Sequence, residues 1–313
     1  MKQELIKILS IQTSSFNQFR MFTYIIRELN KIGCNYYTYN GCIYATKGSA
    51  LNYNCMVSHM DTVHDICEDL TVLEINGNLT GFNCTTLTQT GIGGDDKVGV
   101  FITLQCLKHF DNFKAVFFRD EEVGCEGSYD SDIEFFDDCN YVLQCDRRGN
   151  GDFITSASGV ELSSIEFQND IINTISKYGY KFNVGMMTDV MALKQNSIGI
   201  SMANISCGYY NPHQDNEYVN IKDVFNCLDM CIEIYNSIDN TYLHEHKTKV
   251  MQWEIDSKRM FLDDELDSCE LCSKKDSVSY STYYGLMLCN KCEGENNKQR
   301  TNYSYFDDDF IGF

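Results

Sequence analysis

Two rhythms of apolar residues run through this chain. Between 15 and 31 the residues Phe19, Met21, Phe22, Ile25, Ile26 and Leu29 follow a 3.6-residue period that stops at Gly33, which predicts a helix with a glycine cap. The same period predicts a helix over 2–10, one that opens after Asp95 with Val98, Val100, Phe101, Leu104 and Leu107, and a closing helix over 220–238. Elsewhere the apolar residues come in short runs. Residues 36–39 and 42–46 flank Asn40-Gly41, a pair suited to the left-handed backbone of a tight hairpin. Runs at 53–57, 115–118, 141–145 and 198–202 read as buried strands, with a further strand or hairpin over 70–82. Two short strands are expected within 152–166, a helix over 167–178, and a helix starting near Asp189. Strands alternating with helices predict the α/β class, here a three-layer sandwich around a mostly parallel sheet.

The polar residues that break this pattern are not scattered. Run 53–57 leads into Ser58-His59-Met60-Asp61-Thr62-Val63, run 115–118 into Arg119-Asp120-Glu121-Glu122-Val123-Gly124, and run 141–145 into Asp146. Run 198–202 precedes a glycine and tyrosine loop that carries Asn211-Pro212-His213, the chain's single proline beside a histidine. Acids and histidines thus collect at the carboxyl ends of strands, where open α/β sheets place their sites. Gly91-Ile-Gly-Gly-Asp95-Asp96-Lys97-Val-Gly99 adds two adjacent carboxylates at the mouth of a helix. Packing explains such a pair poorly, because ionised side chains are rarely buried unless paired or bound to a metal.

Together His59, Asp95, Glu122, Asp146 and His213 form a nitrogen and oxygen donor set that suits Zn²⁺, with Co²⁺ or Mn²⁺ as substitutes. An odd number of donors with a central aspartate suits two ions sharing a bridge. Asp95 is the natural bridge, with His59 and Asp146 on one ion and Glu122 and His213 on the other. Such a pair acidifies water and polarises a carbonyl. Glu121, beside Glu122 but free of the metal, is placed to serve as general base, and Asp61 to orient the His59 ring.

Composition narrows the setting. A chain of 313 residues that is 43% hydrophobic is long enough for one large domain and a small appendage. The formal charge of −20 argues against direct nucleic-acid binding and suits a site that concentrates divalent cations. Sixteen cysteines without a signal peptide or an 18-residue apolar run fit a reducing cytoplasm with no membrane span. Twelve of them stand singly and read as small core hydrophobes. A single proline and abundant Asn, Tyr and Ile fit an AT-rich genome such as a phage's.

The residues just quoted carry a resemblance. Ser58 to Val63, Gly94-Asp95-Asp96-Lys97, Asp120 to Gly124, Asp146 and His213, with Leu9-Ser-Ile-Gln-Thr13 and Thr188-Asp189, are similar to the dinuclear zinc exopeptidases of the peptidase T, carboxypeptidase G and aminoacylase type, peptidase T above all. The likeness spans about residues 1 to 238. It implies the same five metal ligands, Glu121 as base, Asp61 behind His59, and a cis Asp95–Asp96 peptide. Cleavage of a peptide or amide bond near a chain end is then expected, on a peptide or, alternatively, an N-acyl amino acid. The family's lid domain is expected to be missing, since only 66 residues separate Asp146 from His213. Tyr209 or Tyr210 would then face the oxyanion, and Arg147 or Arg148 a substrate carboxylate. Lidless relatives bind a free amino terminus, so either chain end is open. His64 stands where relatives often have proline.

Beyond this domain, taken as 1–239, a charged linker over 240–267 with helical character leads to Cys269-Glu-Leu-Cys272 and Cys289-Asn-Lys-Cys292, sixteen residues apart. That spacing predicts a zinc ribbon over 268–293 holding one structural Zn²⁺. The remainder, 294–313, reads as a flexible acidic tail. Its end, Asp307-Asp-Asp-Phe-Ile-Gly-Phe313, is similar to the acidic tip of bacterial single-stranded DNA-binding proteins, which implies a protein partner with a basic, apolar pocket. Such a ribbon and tail also suit a non-catalytic interaction protein built on a retained metal core.

Overall fold

The computed structural model describes residues 1–245, 278–281, 286–289 and 291. The chain divides into two units, Met1–His246 and Lys247–Phe313. In the first, helices α1 (Lys2–Leu9) and α2 (Phe19–Ile32) precede the hairpin β1 (Asn35–Tyr39) and β2 (Cys42–Lys47). Strand β3 (Tyr53–His59), strands β4 (Leu70–Ile75), β5 (Asn78–Asn83) and β6 (Thr88–Thr90), helix α3 (Gly94–His109) and strand β7 (Phe113–Phe118) follow. Next come α4 (Glu126–Tyr129), β8 (Cys139–Arg147), β9 (Asp152–Ala157), β10 (Val160–Glu161), α5 (Ile165–Lys177), β11 (Lys181–Gly185) and α6 (Asp189–Gln195). Strands β12 (Met202–Ser206), β13 (Tyr209–Tyr210) and β14 (Tyr218–Asn220) lead to α7 (Ile221–Ser237).

A nine-stranded sheet runs in the order β1-β2-β7-β3-β8-β12-β9-β10, with β11 also on β9. Its four central strands, β7, β3, β8 and β12, are mutually parallel, and the flanks are antiparallel apart from the β9–β11 pair. Side chains alternate faces along each central strand. On β8, Tyr141, Leu143 and Cys145 enter a core shared with α1, α2, α3, α5 and α7, while Val142 enters a second core that includes Val190 and Leu193 of α6. Phe113, Ala115 and Phe117 of β7 take the first side, and Val116 and Phe118 the second. Two apolar faces on one sheet require a layer on each, which gives the sandwich.

The hairpin at Asn40-Gly41 forms with Tyr39 opposite Cys42, both turn residues having positive φ. Gly33 caps α2 at φ 83° and closes the bond from its N–H to Leu29 O at 3.0 Å. Two expectations shift and one strand is new. The strand foreseen at 198–202 lies at Met202–Ser206, because Ile198 and Ile200 fill the second core as irregular chain and the ladder to β8 starts at Met202. The helix foreseen from residue 15 starts at Phe19, since Ser14 and Asn17 close a small turn first. Strand β11 was not foreseen, being a largely exposed edge with little apolar content.

Past α7, Tyr242 is buried, donates its N–H to Asn140 O at 3.0 Å and accepts one from Ser201 N at 2.7 Å, so the first unit continues beyond residue 239. In the second unit an antiparallel hairpin pairs β15 (Val278–Ser281) with β16 (Leu286–Cys289). Cys289 ends that hairpin. Cys269, Cys272, Cys292 and the 294–313 tail lie outside the described residues.

Candidate metal centre

Three central strands and two loops bring the acids and histidines to one end of the sheet. His59 is the last residue of β3, Glu121 and Glu122 follow β7, Asp146 lies near the end of β8, Asp95 precedes the regular part of α3, and His213 sits on the loop between β13 and β14. Asp95 has extended backbone, with φ −78° and ψ 107°, and its bond to Asp96 is cis. Asp96 is then free to cap the helix. Its Oδ1 accepts the Gly99 N–H and its Oδ2 the His59 N–H, both at 3.0 Å. Residue 99 has to be glycine, since a Cβ there would meet Asp96 Oδ1 at 2.1 Å.

The Asp95 carboxylate lies between the two histidines. Its Oδ1 is 3.3 Å from His59 Nε2 and its Oδ2 3.4 Å from His213 Nε2. His59 Nε2 is also 3.7 Å from Asp146 Oδ1, and His213 Nε2 3.3 Å from Glu122 Oε2. Two donor groups result, His59 with Asp95 and Asp146, and His213 with Asp95 and Glu122, each with its ligand atoms within 4.8 Å of one another.

Two buried atoms here, His59 Nε2 and Glu122 Oε1, have no hydrogen-bond partner. On the other side of the ring, His59 Nδ1 is 3.1 Å from the Asp61 carbonyl oxygen, which makes Nδ1 the protonated nitrogen and turns the Nε2 lone pair toward the carboxylates. A buried lone pair aimed among carboxylate oxygens is the arrangement a divalent cation satisfies. The residues present fit such ions.

Electrostatics record the same crowding. Burial resists charging of His59, but Asp146, Asp61 and Asp95 outweigh it and raise its pKa well above the ordinary value. Hydrogen bonds to Asp95 and Glu122 raise His213 to about 10. Burial, opposed by His59 and reinforced by Asp189, Asp95 and Glu122, pushes Glu121 up to about 8.

Asp61 organises more than a ring. Its Oδ1 accepts the Glu121 N–H at 3.0 Å, and its Oδ2 the Glu122 N–H at 3.3 Å and the Ser15 hydroxyl at 2.8 Å. Fully buried, it fixes the turn that carries both glutamates. Glu121 Oε2 stands 3.9 Å from His59 Nε2, and its Oε1 accepts the Cys125 thiol at 3.4 Å.

Residues proposed for substrate divide. The Tyr209 hydroxyl donates to Asp146 Oδ1 at 3.3 Å, within the centre. The Tyr210 hydroxyl points elsewhere, donating to Asp223 Oδ2 at 2.6 Å with its ring stacked on Tyr218. Arg147 and Arg148 line a cavity of about 420 Å³ with Tyr210, Pro212 and Gln214, and Arg147 faces Asp152 at 3.6 Å.

Sequence reasoning missed the supports. Gln144 donates to both Asp146 Oδ2 and Asp189 Oδ2, at 3.2 and 3.0 Å, and takes the Thr188 hydroxyl at 2.7 Å. Glu217, four residues beyond His213 and fully buried, accepts the N–H of Gly93 at 2.7 Å and of Asp95 at 3.2 Å. The available signal was a carboxylate one helical turn's spacing from a histidine, too common to single out.

No family model matches the chain, and no curated protein matches it. Its fold is shared with solved peptidase structures. The aminopeptidase PepT of Bacillus cereus superposes with a TM-score of 0.61 at 12% identity, over 75% of this chain and 97% of that one. A tripeptidase of Staphylococcus aureus gives 0.61 and 12%, over 75% and 96%. An aminopeptidase of the archaeon Desulfurococcus kamchatkensis gives 0.60 and 14%, over 76% and 94%.

Proposed function

We propose that this chain is a metal-dependent hydrolase that cleaves a peptide or amide bond near a chain end, with an aminopeptidase-type exopeptidase as the leading form. The observation that carries the reading is the Asp95 carboxylate, whose two oxygens face two different histidine nitrogens at 3.3 and 3.4 Å. The structural neighbours, two aminopeptidases and a tripeptidase, agree with it.

In this reading His59, Asp95 and Asp146 hold one divalent cation, zinc by the chemistry of the donors, and His213, Asp95 and Glu122 the other. When bound, the ions acidify water and polarise the scissile carbonyl. Glu121 takes the proton of the attacking water and returns it to the leaving amine. Burial pushes the Glu121 carboxyl up to about 8, the range suited to a group that takes and returns a proton near neutral pH. Asp61 keeps Glu121 and Glu122 in place through their backbone N–H groups. Tyr209 is the nearer of the two tyrosines and supplies the hydroxyl for the oxyanion. Arg147 and Arg148, which follow Asp146 in the chain and line a cavity with Tyr210 and Pro212, receive a substrate carboxylate.

The test is turnover of di- and tripeptides beside N-acyl amino acids, for zinc-loaded wild type and Glu121→Gln. Loss of hydrolysis in the variant at unchanged metal content supports the base, and full activity in the variant refutes it.

A further inference from the structure

A second cluster of metal-ligating side chains lies deep in the core and plays no part in the proposed reaction. Cys145 of β8 and Cys227 and Cys231 of α7 are fully buried, with their sulfurs within 4.8 Å of one another. Cys145 Sγ is 3.8 Å from Cys227 Sγ and 3.6 Å from Cys231 Sγ. Spacing of four residues puts the two α7 thiols on one helix face. Side chains alternate along β8, so Cys145 turns to the α7 face while its neighbour Asp146 belongs to the carboxylate centre.

We infer that Cys145, Cys227 and Cys231 form a separate three-sulfur site for one soft, thiophilic cation of the copper(I) class. Thiolates select soft ions over the hard ions that carboxylates prefer. Metal–sulfur bonds of about 2.3 Å place neighbouring sulfurs about 3.8 to 4.0 Å apart, so the two spacings from Cys145 need change by only a few tenths of an ångström. Among the described residues the group offers three donors and no fourth His, Asp or Glu, which suits a three-coordinate ion better than tetrahedral zinc.

Cysteine ligates as the thiolate, so uptake of the ion releases the thiol protons to solvent. With no solvent path to the sulfurs, the ion enters during folding and is then held against chelators.

This inference is independent of the hydrolase reading, because carboxylates and imidazoles do not supply a copper–thiolate shell. The experiment uses the full chain with Cys269, Cys272, Cys289 and Cys292 all changed to Ser, refolded with copper(I) under reducing, anaerobic conditions and washed with a copper(I) chelator. Copper is then counted by native mass spectrometry and its ligands read by X-ray absorption. About one copper per chain in an all-sulfur, three-coordinate shell is expected, falling at least about tenfold in Cys227→Ser and in Cys231→Ala, and unchanged in a control at the exposed Cys84. The inference is overturned by a chain that washes free of copper, or by copper that stays in both core variants. If one core variant fails to fold, the other decides.

Discussion

His64 Nε2 lies 2.9 Å from Glu217 Oε2, and the same carboxylate takes the Gly93 and Asp95 N–H groups. The loop that carries His213 thereby ties down the backbone of Asp95 on the far side of the centre. Gly91 makes room for this, since a Cβ there would fall 2.0 Å from the His64 ring. Supports of this kind are worth about 10- to 100-fold in metal affinity when removed. Glu217→Ala is therefore expected to weaken binding by about that factor, and Gly91→Ala by less, as read by competition against a chelator of known affinity. Unchanged affinity in Glu217→Ala would show the tie to be structural only.

Asp61→Asn removes half of the carboxylate that fixes the Glu121 and Glu122 turn. We expect catalytic efficiency to drop by about 10- to 100-fold, with kcat falling more than KM rises, because the base moves and the substrate pocket does not. Steady-state kinetics at saturating metal check this. A pure KM effect would contradict it.

Gln144 joins Asp146, Asp189 and Thr188 from a fully buried position, and its loss leaves buried polar groups unpaired. Gln144→Leu is expected to cost about 1 to 3 kcal/mol in urea unfolding of the metal-free protein. Ser164→Ala serves as a control far from the centre. It removes the α5 cap, a hydroxyl that accepts the Phe167 N–H at 3.1 Å, and should cost about 1 kcal/mol with no change in metal affinity.

How much of this was legible depends on how each residue acts. Residues that act through their side chains at strand ends, such as His59, Asp146 and the Glu121-Glu122 pair, interrupt an apolar run and announce themselves. Glu217 and Gln144 act through hydrogen bonds to backbone or to other supports, and nothing in their neighbours' composition marks them. Cys145 and Cys227 are far apart in the chain and meet only when α7 packs on β8, so the cysteines read as isolated core residues until the sheet order is known. Strand β12 was misplaced for a related reason. Ile198 and Ile200 are buried like the ladder residues that follow, and only the pairing of Met202 with Val142 shows where the strand begins.

The central claim is that Asp95 bridges two ions. Manganese(II) titration followed by electron paramagnetic resonance tests it most directly, because Mn²⁺ avoids thiolates and two bridged ions give an exchange-coupled spectrum. The account predicts two Mn²⁺ per chain with that coupling, and loss of the coupling with at least one ion in Asp95→Asn. Two uncoupled ions in the wild type, or a coupled pair that survives in Asp95→Asn, would contradict it.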